Sequence, residues 1–269
     1  MARIKPRSIS APDLAEFVEQ GSDFSFEMLV LRTLRRLGFD CSHGGTYQDP
    51  VTQKGRQFDI HAERLVGESH VALAVECKNI QEHAPLMLST VPRTSAEAFH
   101  QLMYSPHNSP FKRTRSESGD RSFYLPGLPV AKRIDQVSRN QSGVLTSDDS
   151  ATWEKLSQAV NSCHGLIERH AHPPSSLVTA IVPVLVVPPQ RLWRVDYDAN
   201  GQLTHQPHLV AQVELFLDRT WTVPGYPGTG GMSYRLSHLE ILTFDALKPW
   251  TERCWDDEAG LFPTPKVTR

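Results

Sequence analysis

The stretch Arg56-Gln57-Phe58-Asp59-Ile60-His61-Ala62-Glu63-Arg64, Leu65-Val66-Gly67-Glu68-Ser69, His70-Val71-Ala72-Leu73-Ala74-Val75-Glu76-Cys77-Lys78 decides the fold. Over Arg56 to Arg64, Phe58, Ile60 and Ala62 alternate with Gln57, Asp59 and His61, the period of a half-buried strand. His70 to Lys78 is nearly all apolar, as a strand covered on both faces must be. Gly67 to Ser69 supplies the turn, so the two strands form a hairpin that sets Asp59 beside Glu76. Side chains alternate along a strand, so Glu76 and Lys78 project from one face while Val75 and Cys77 enter the core. Two carboxylates converging at a buried strand end repel unless a cation lies between them, and hard oxygen donors favour Mg²⁺, with Mn²⁺ as substitute. With Lys78 adding a positive point charge, the set suits phosphodiester hydrolysis: the metal activates a water, and charge developing on the phosphoryl oxygens is neutralised.

Upstream, Asp23 to Leu37 has helical periodicity, with Phe24, Met28, Leu31 and Leu34 on one face, Ser22 or Asp23 as cap and Gly38 as stop. Glu27 falls on that apolar stripe, where a carboxylate needs a partner, either the metal site or a cation such as Arg56. Residues 1–21 read as a polar leader and 22–269 as a single elaborated α/β domain. After Lys78 the pattern loosens, broken by Pro85, Pro92, Pro106 and Pro110. The expectation for 80–130 is an insertion or substrate-binding region with a short helix at Ser95 to Met103.

The most basic part of the chain runs from His107 to Thr146. Lys112, Arg113, Arg115, Lys132, Arg133 and Arg139 there are candidates for gripping phosphates, and read equally well as a solvated loop. Tyr104, Phe111, Phe123 and Tyr124 interleave with them, better suited to anchoring than to stacking on bases. Ser150 to His170 is a second helix, presenting Trp153, Leu156, Val160, Cys163 and Ile167 on one face. Leu177 to Val187 is a buried central strand, followed by strands at Leu192 to Tyr197, Leu209 to Val223 and Tyr234 to Phe244. The loop Pro224 to Gly231 reads as a turn, because no Lys-Ser/Thr pair follows it to cradle a phosphate. His238 and Glu240 share a strand face in a structural role, and His43, His61 and His83 lack metal-ligand spacing, although His61 shares the face of Asp59.

Composition sets outer bounds. The 269 residues are 39% apolar and 22% charged, which excludes a disordered chain, and a formal charge of −2 excludes a polyanion binder by bulk charge. No run of about 18 apolar residues exists, so no membrane association and a cytoplasmic location are expected. Cys41, Cys77, Cys163 and Cys254 lie far apart with no CxxC spacing and read as reduced, packed thiols.

Asp59…Glu76-Cys77-Lys78, preceded by a helix carrying Glu27, resembles the PD-(D/E)XK nuclease superfamily over residues 22–79, and more loosely over 130–197. The resemblance implies a restriction-endonuclease-like fold, a mixed central β-sheet flanked by helices. Here that fold would carry an inserted loop or helical region and additional C-terminal strands. It also implies DNA as substrate and Mg²⁺ as metal. By position, Asp59 and Glu76 would be metal ligands, the carbonyl of Cys77 a further ligand, Lys78 the catalytic lysine and Glu27 an accessory ligand. Phe58 stands where the motif's name has proline. Some relatives place a glutamine on the following helix; Gln101 and Gln136 are the candidates, with Gln136, within Ile134 to Arg139, favoured by its basic neighbours. The expected protein is a metal-dependent deoxyribonuclease, by analogy in bacterial anti-phage defence or DNA repair. It would act as a homodimer, since cutting both strands takes two sites, or with a partner protein supplying specificity or activation. An RNA-directed nuclease is the alternative within enzymes; outside them it is a non-catalytic nucleic-acid-binding or scaffold subunit of a defence complex.

Overall fold

The structure is a computed structural model that describes residues 8–104, 114–119, 123–147, 150–171, 177–224 and 231–262. In chain order the elements are α1 (Ala11–Gln20), α2 (Asp23–Arg36), β1 (Asp40–His43), β2 (Thr46–Gln48), β3 (Gly55–Gln57), β4 (Ile60–Val66) and β5 (Ser69–Cys77). These are followed by β6 (Leu86–Pro92), β7 (Gln101–Tyr104), β8 (Arg115–Ser118), β9 (Pro129–Arg139), β10 (Leu145–Ser147) and α3 (Ser150–His170). The chain continues through β11 (Val178–Val187), β12 (Leu192–Tyr197), β13 (Leu203–Leu209), β14 (Gln212–Val223), β15 (Met232–Thr243) and α4 (Leu247–Arg253).

Thirteen strands form one mixed sheet along the order β1-β4-β5-β11-β15-β14-β9-β6-β12-β13, with β7, β8 and β10 attached to its side. The hairpin forms as its sequence dictates: β4 and β5 pair antiparallel from Ile60 opposite Val75 to Val66 opposite Ser69, and Gly67 takes the left-handed φ (61°) the tight turn requires. β5 then lies parallel to β11 along its whole length. Both strands are covered on both faces, which is why they read as continuous apolar runs. Ala72 and Ala74 face a core with Leu156, Ala159 and Cys163 of α3, while Val71, Leu73, Val75 and Cys77 face a second core with Val30 and Leu34 of α2 and Trp250 of α4.

Several elements depart from expectation. The expected strand Arg56 to Arg64 breaks at Phe58-Asp59, since β3 pairs with β2 while β4 pairs with β1 and β5. α2 buries Phe26, Val30, Leu31 and Leu34, leaving Phe24 59% exposed, because two overlapping stripes share Leu31 and Leu34 and the sheet takes the one through Phe26. Gly38 ends the helix as expected, at φ 86°. Among the described residues of 80–130, strands take the place of the expected loop or helix: β6 bonds to β9 and β12 within the main sheet, and Pro85 and Pro92 mark its ends rather than break it. Ser95 to Met103 forms no helix, passing through a turn in which the Thr94 amide donates to Glu97 Oε2 and then into β7. Ile134 to Arg139 belongs to strand β9, not a helix. Trp153 is 41% exposed, off the buried face of α3, and Leu209 to Val223 divides between β13 and β14. Within the expected leader, Ala11–Gln20 is helical, begun by a capping box between Ser10 and Asp13. The loop segment 225–230 lies outside the described residues.

Tyr234 closes a gap in the sheet. One edge of β11 bonds to β7 at Val178 to Ala180 and to β15 only from Val184 onward. In between, the Ile181 amide donates to Tyr234 Oη (3.1 Å), which donates to the Gln101 carbonyl (2.6 Å). Replacing Tyr234 with Phe strands the buried Ile181 amide and takes a partner from the part-buried Gln101 carbonyl, and the expected cost is about 1–3 kcal/mol. It is read as a lower urea midpoint with an unchanged m value.

Candidate active site

Asp59 sits in the break between β3 and β4, where backbone bonds fix it from both sides. The Gly44 amide donates to the Asp59 carbonyl and the Phe58 amide to the Gly45 carbonyl, both at 3.0 Å. Phe58 lies so close to Gly45 that a Cβ there would come within 2.5 Å of its ring, so the chain can turn here only over glycine. The Phe58 ring in turn stacks on His61 at 3.7 Å, which places His61 in the packing beneath Asp59.

The hairpin brings Asp59 and Glu76 together as expected. The Asp59 amide donates to Glu76 Oε1 (3.3 Å), and the Cys77 amide donates to Asp59 Oδ2 (2.8 Å). A residue that sequence reasoning missed lies between the carboxylates: Lys155 Nζ donates to Asp59 Oδ1 (3.0 Å) and Oδ2 (2.9 Å) and to Glu76 Oε2 (3.2 Å). Glu76 is fully buried, on the sheet face that α3 covers. One turn earlier on α3, Thr152 Oγ1 accepts from Lys78 Nζ (3.0 Å) and donates to Gln136 Oε1 (2.9 Å). Gln136 thus joins the site from a strand, and its own amide donates to the Ala84 carbonyl.

Glu27 reaches the same place from α2. Its Oε2 lies 3.2 Å from His43 Nε2, so its partner is a histidine and not Arg56. Arg56 instead bonds Glu154 at 2.9 Å. Glu27, Asp59 and Lys155 line an open cleft of about 550 Å³ whose rim carries Lys54, Arg56, Gln57 and Gln158.

Burial pushes the Glu76 carboxyl up to about 8, and the Asp59 charge adds to the rise against the opposing pull of Lys155. Burial and Asp59 likewise raise Glu27, against its bond to His43. Burial alone would lower Lys155, but Glu76 and Asp59 outweigh it and hold the ammonium above the ordinary lysine range. The cluster therefore takes up positive charge readily and holds a proton near neutrality.

No family model, curated protein or solved structure matches this chain. The site's chemistry stands on its own geometry.

The basic candidates among the described side chains each have a bond of their own. Lys132 and Arg133 are adjacent on β9, where side chains alternate faces; Lys132 bonds Glu97, and Arg133 donates from Nε and Nη2, one edge of its guanidinium, to Asp135. Arg139 donates to the Gly143 carbonyl (2.7 Å). Lys112 and Arg113 lie outside the described residues, as do Phe111 and the side chain of Arg115. Phe123 and Tyr124 are buried, so they anchor their segment. His238 and Glu240 are buried as well, His238 stacked on Tyr124 and Glu240 accepting from the Tyr124 hydroxyl (2.8 Å).

A signal for Lys155 was present. Thr152, Lys155, Ala159, Ser162 and Leu166 recur at the spacing of one helix stripe, and all but Lys155 are buried outright. A lysine on a core stripe needs a carboxylate to meet.

Removing the ammonium exposes its worth. Lys155→Ala leaves Asp59 and Glu76 facing each other, and the expected loss is about 3–5 kcal/mol at pH 8.5. Glu76 has a folded-state value raised above its unfolded one, so its ionisation costs stability as pH rises from the unfolded value toward about 8. The gap between wild type and variant therefore widens as pH climbs through 8, which urea unfolding at pH 6, 7 and 8.5 measures.

Proposed function

We propose that the protein is a metal-dependent nuclease of the PD-(D/E)XK kind, hydrolysing DNA phosphodiester bonds at the Asp59–Glu76 cluster. One observation carries the reading: three carboxylate oxygens, Asp59 Oδ1 and Oδ2 and Glu76 Oε2, lie within 3.2 Å of a single positive centre beside an open cleft. Ligands of this type and convergence fit a hard divalent cation such as Mg²⁺ or Mn²⁺ in the place the Lys155 ammonium fills. A mixed sheet flanked by helices is the architecture that this reading asks for.

Asp59 and Glu76 would hold the cation, with Glu27 and the Cys77 carbonyl as accessory ligands. When bound, the cation supplies a Lewis acid that lowers the pKa of a water and offsets phosphoryl charge. Lys78, steadied by Thr152 and Gln136, offers a positive charge to the attacked phosphate. Lys155 acts as a counter-ion, keeping the carboxylates together until it is displaced toward the cleft. Lys54 and Arg56 on the rim give the polyanionic backbone its first contacts. Attack at the phosphate neither needs nor forbids a 2′-hydroxyl, so RNA stands beside DNA as a substrate to be compared. Homodimerisation, or a partner that supplies specificity, completes this reading, with defence or repair as its setting by analogy.

A second reading has an observation of its own. The three bonds from Lys155 neutralise the carboxylates without any metal, as suits a binding or scaffold subunit that keeps the architecture.

Supercoiled DNA, linear DNA and RNA of the same sequence, each incubated in Mg²⁺, Mn²⁺ or chelator, separate these readings. Cutting that needs the metal and falls on the order of 10²–10³-fold in folded Glu76→Gln and Lys78→Ala variants is the expected result. Chelator-resistant cutting, or full activity in Glu76→Gln, overturns the assignment; no cutting of any substrate favours the scaffold. Because Glu76 holds its proton up to about pH 8, cation uptake should release a proton. Affinity for Mn²⁺ should then rise by up to about tenfold per pH unit below pH 8, which calorimetry in buffers of different ionisation enthalpy detects.

A further inference from the structure

The opposite end of the same hairpin carries a second cluster. Glu63 on β4, His70 on β5 and His170 at the last turn of α3 place one ligand atom each within 4.8 Å of the others. Lys155 and His170 are both on α3, fifteen residues apart, so at 1.5 Å per residue the two clusters are separated by about 22 Å. The register explains the meeting. Glu63 pairs with Ala72 and Leu65 with His70, so Glu63 and His70 are diagonal neighbours on the sheet face beneath α3.

The contacts within the cluster are poor as hydrogen bonds. Glu63 Oε2 lies 3.4 Å from His70 Nε2 and 3.2 Å from His170 Nε2, and His170 Nε2 is buried with no properly aligned hydrogen-bond partner. Those spacings suit a different bond. Two donors each about 2.1 Å from a tetrahedral ion stand about 3.4 Å apart. The surroundings also orient the donors. Arg169 pairs with Glu63 Oε1 and leaves Oε2 to the imidazoles, while His70 Nδ1 lies 3.5 Å from the Thr179 hydroxyl, so its Nε2 is turned toward Glu63.

We infer that Glu63, His70 and His170 form a Zn²⁺ site, the carboxylate Oε2 and the two Nε2 atoms being the protein ligands. Two imidazoles with one carboxylate are a borderline N/O set that selects Zn²⁺ over Mg²⁺ or Ca²⁺. The Glu63 side chain is 23% exposed, so water can reach the cluster and would complete a four-coordinate set. The site clamps the end of α3 to the β4–β5 hairpin, and it is independent of the nuclease reading. Zn²⁺ bound to the folded state alone raises stability with its free concentration.

The test is a Zn²⁺ titration of the chelator-stripped full chain against a chromophoric competitor, with melting followed in parallel. Expected are one equivalent, a melting temperature that rises with Zn²⁺, and a loss of at least about tenfold in affinity in His70→Gln and His170→Gln. Glu76→Ala should keep the equivalent. Failure of the folded wild type to take up Zn²⁺, or an equivalent that survives in His170→Gln and vanishes in Glu76→Ala, overturns the assignment. Where the histidine variants do not fold, X-ray absorption of the loaded wild type decides it: two imidazoles in the metal's coordination shell support the site, and fewer refute it.

Discussion

An ammonium group held by three carboxylate oxygens is the constraint on which this end of the molecule depends. Lys155 comes from α3, Asp59 from the break before β4 and Glu76 from the end of buried strand β5, so one ion cluster joins three elements. The cost of burying Glu76 is met only while positive charge is close. This explains why Thr152, Lys155, Ala159 and Ser162 run along the same stripe of α3: the helix must lie with that stripe on the sheet to deliver the charge. Alanines on β5 then let the helix approach closely, with Ala72 and Ala74 beneath Leu156 and Cys163.

The hairpin, both principal helices and the central strand β11 were legible because each rests on a local pattern. A two-residue turn with glycine, an apolar run of strand length and a 3.6-residue stripe all act over short distances. Residues 80–130 were not legible for a reason equally local. Proline reads as a breaker, yet Pro85 and Pro92 border β6 where no ladder bond is interrupted, and the pairing of β6 with β9 and β12 joins segments far apart in sequence. The exchange of Phe24 for Phe26 on the buried face of α2 has a similar origin, since periodicity fixes the pitch of a stripe but only the facing surface fixes its phase.

At the site, the pair Asp59 and Glu76 could be read from the hairpin, and Glu27 from a charge placed on an apolar stripe. Gln136 emerged at the right place on the wrong kind of element: a strand delivers it to Thr152 where a helix was expected. Lys155 could be placed on a core stripe of α3 by its spacing, but the carboxylates it meets were fixed only by the packing of α3 against β5. The same applies to Glu63, His70 and His170, each unremarkable alone and drawn together only by antiparallel register and the length of α3.

Among the described residues the sheet's path does not close on itself, so β1 and β13 end it with one side each that no described strand pairs. An open side is a row of backbone donors and acceptors on which a foreign strand can template itself. β1 offers only Asp40–His43, too short to hold a guest firmly. β13 is longer, but it is exposed and polar over Thr204, His205 and Gln206, and Pro207 has no N–H to give. The molecule thus carries its own guard against fibre growth, built from one imino acid and a few polar side chains at the strand farthest from the hairpin.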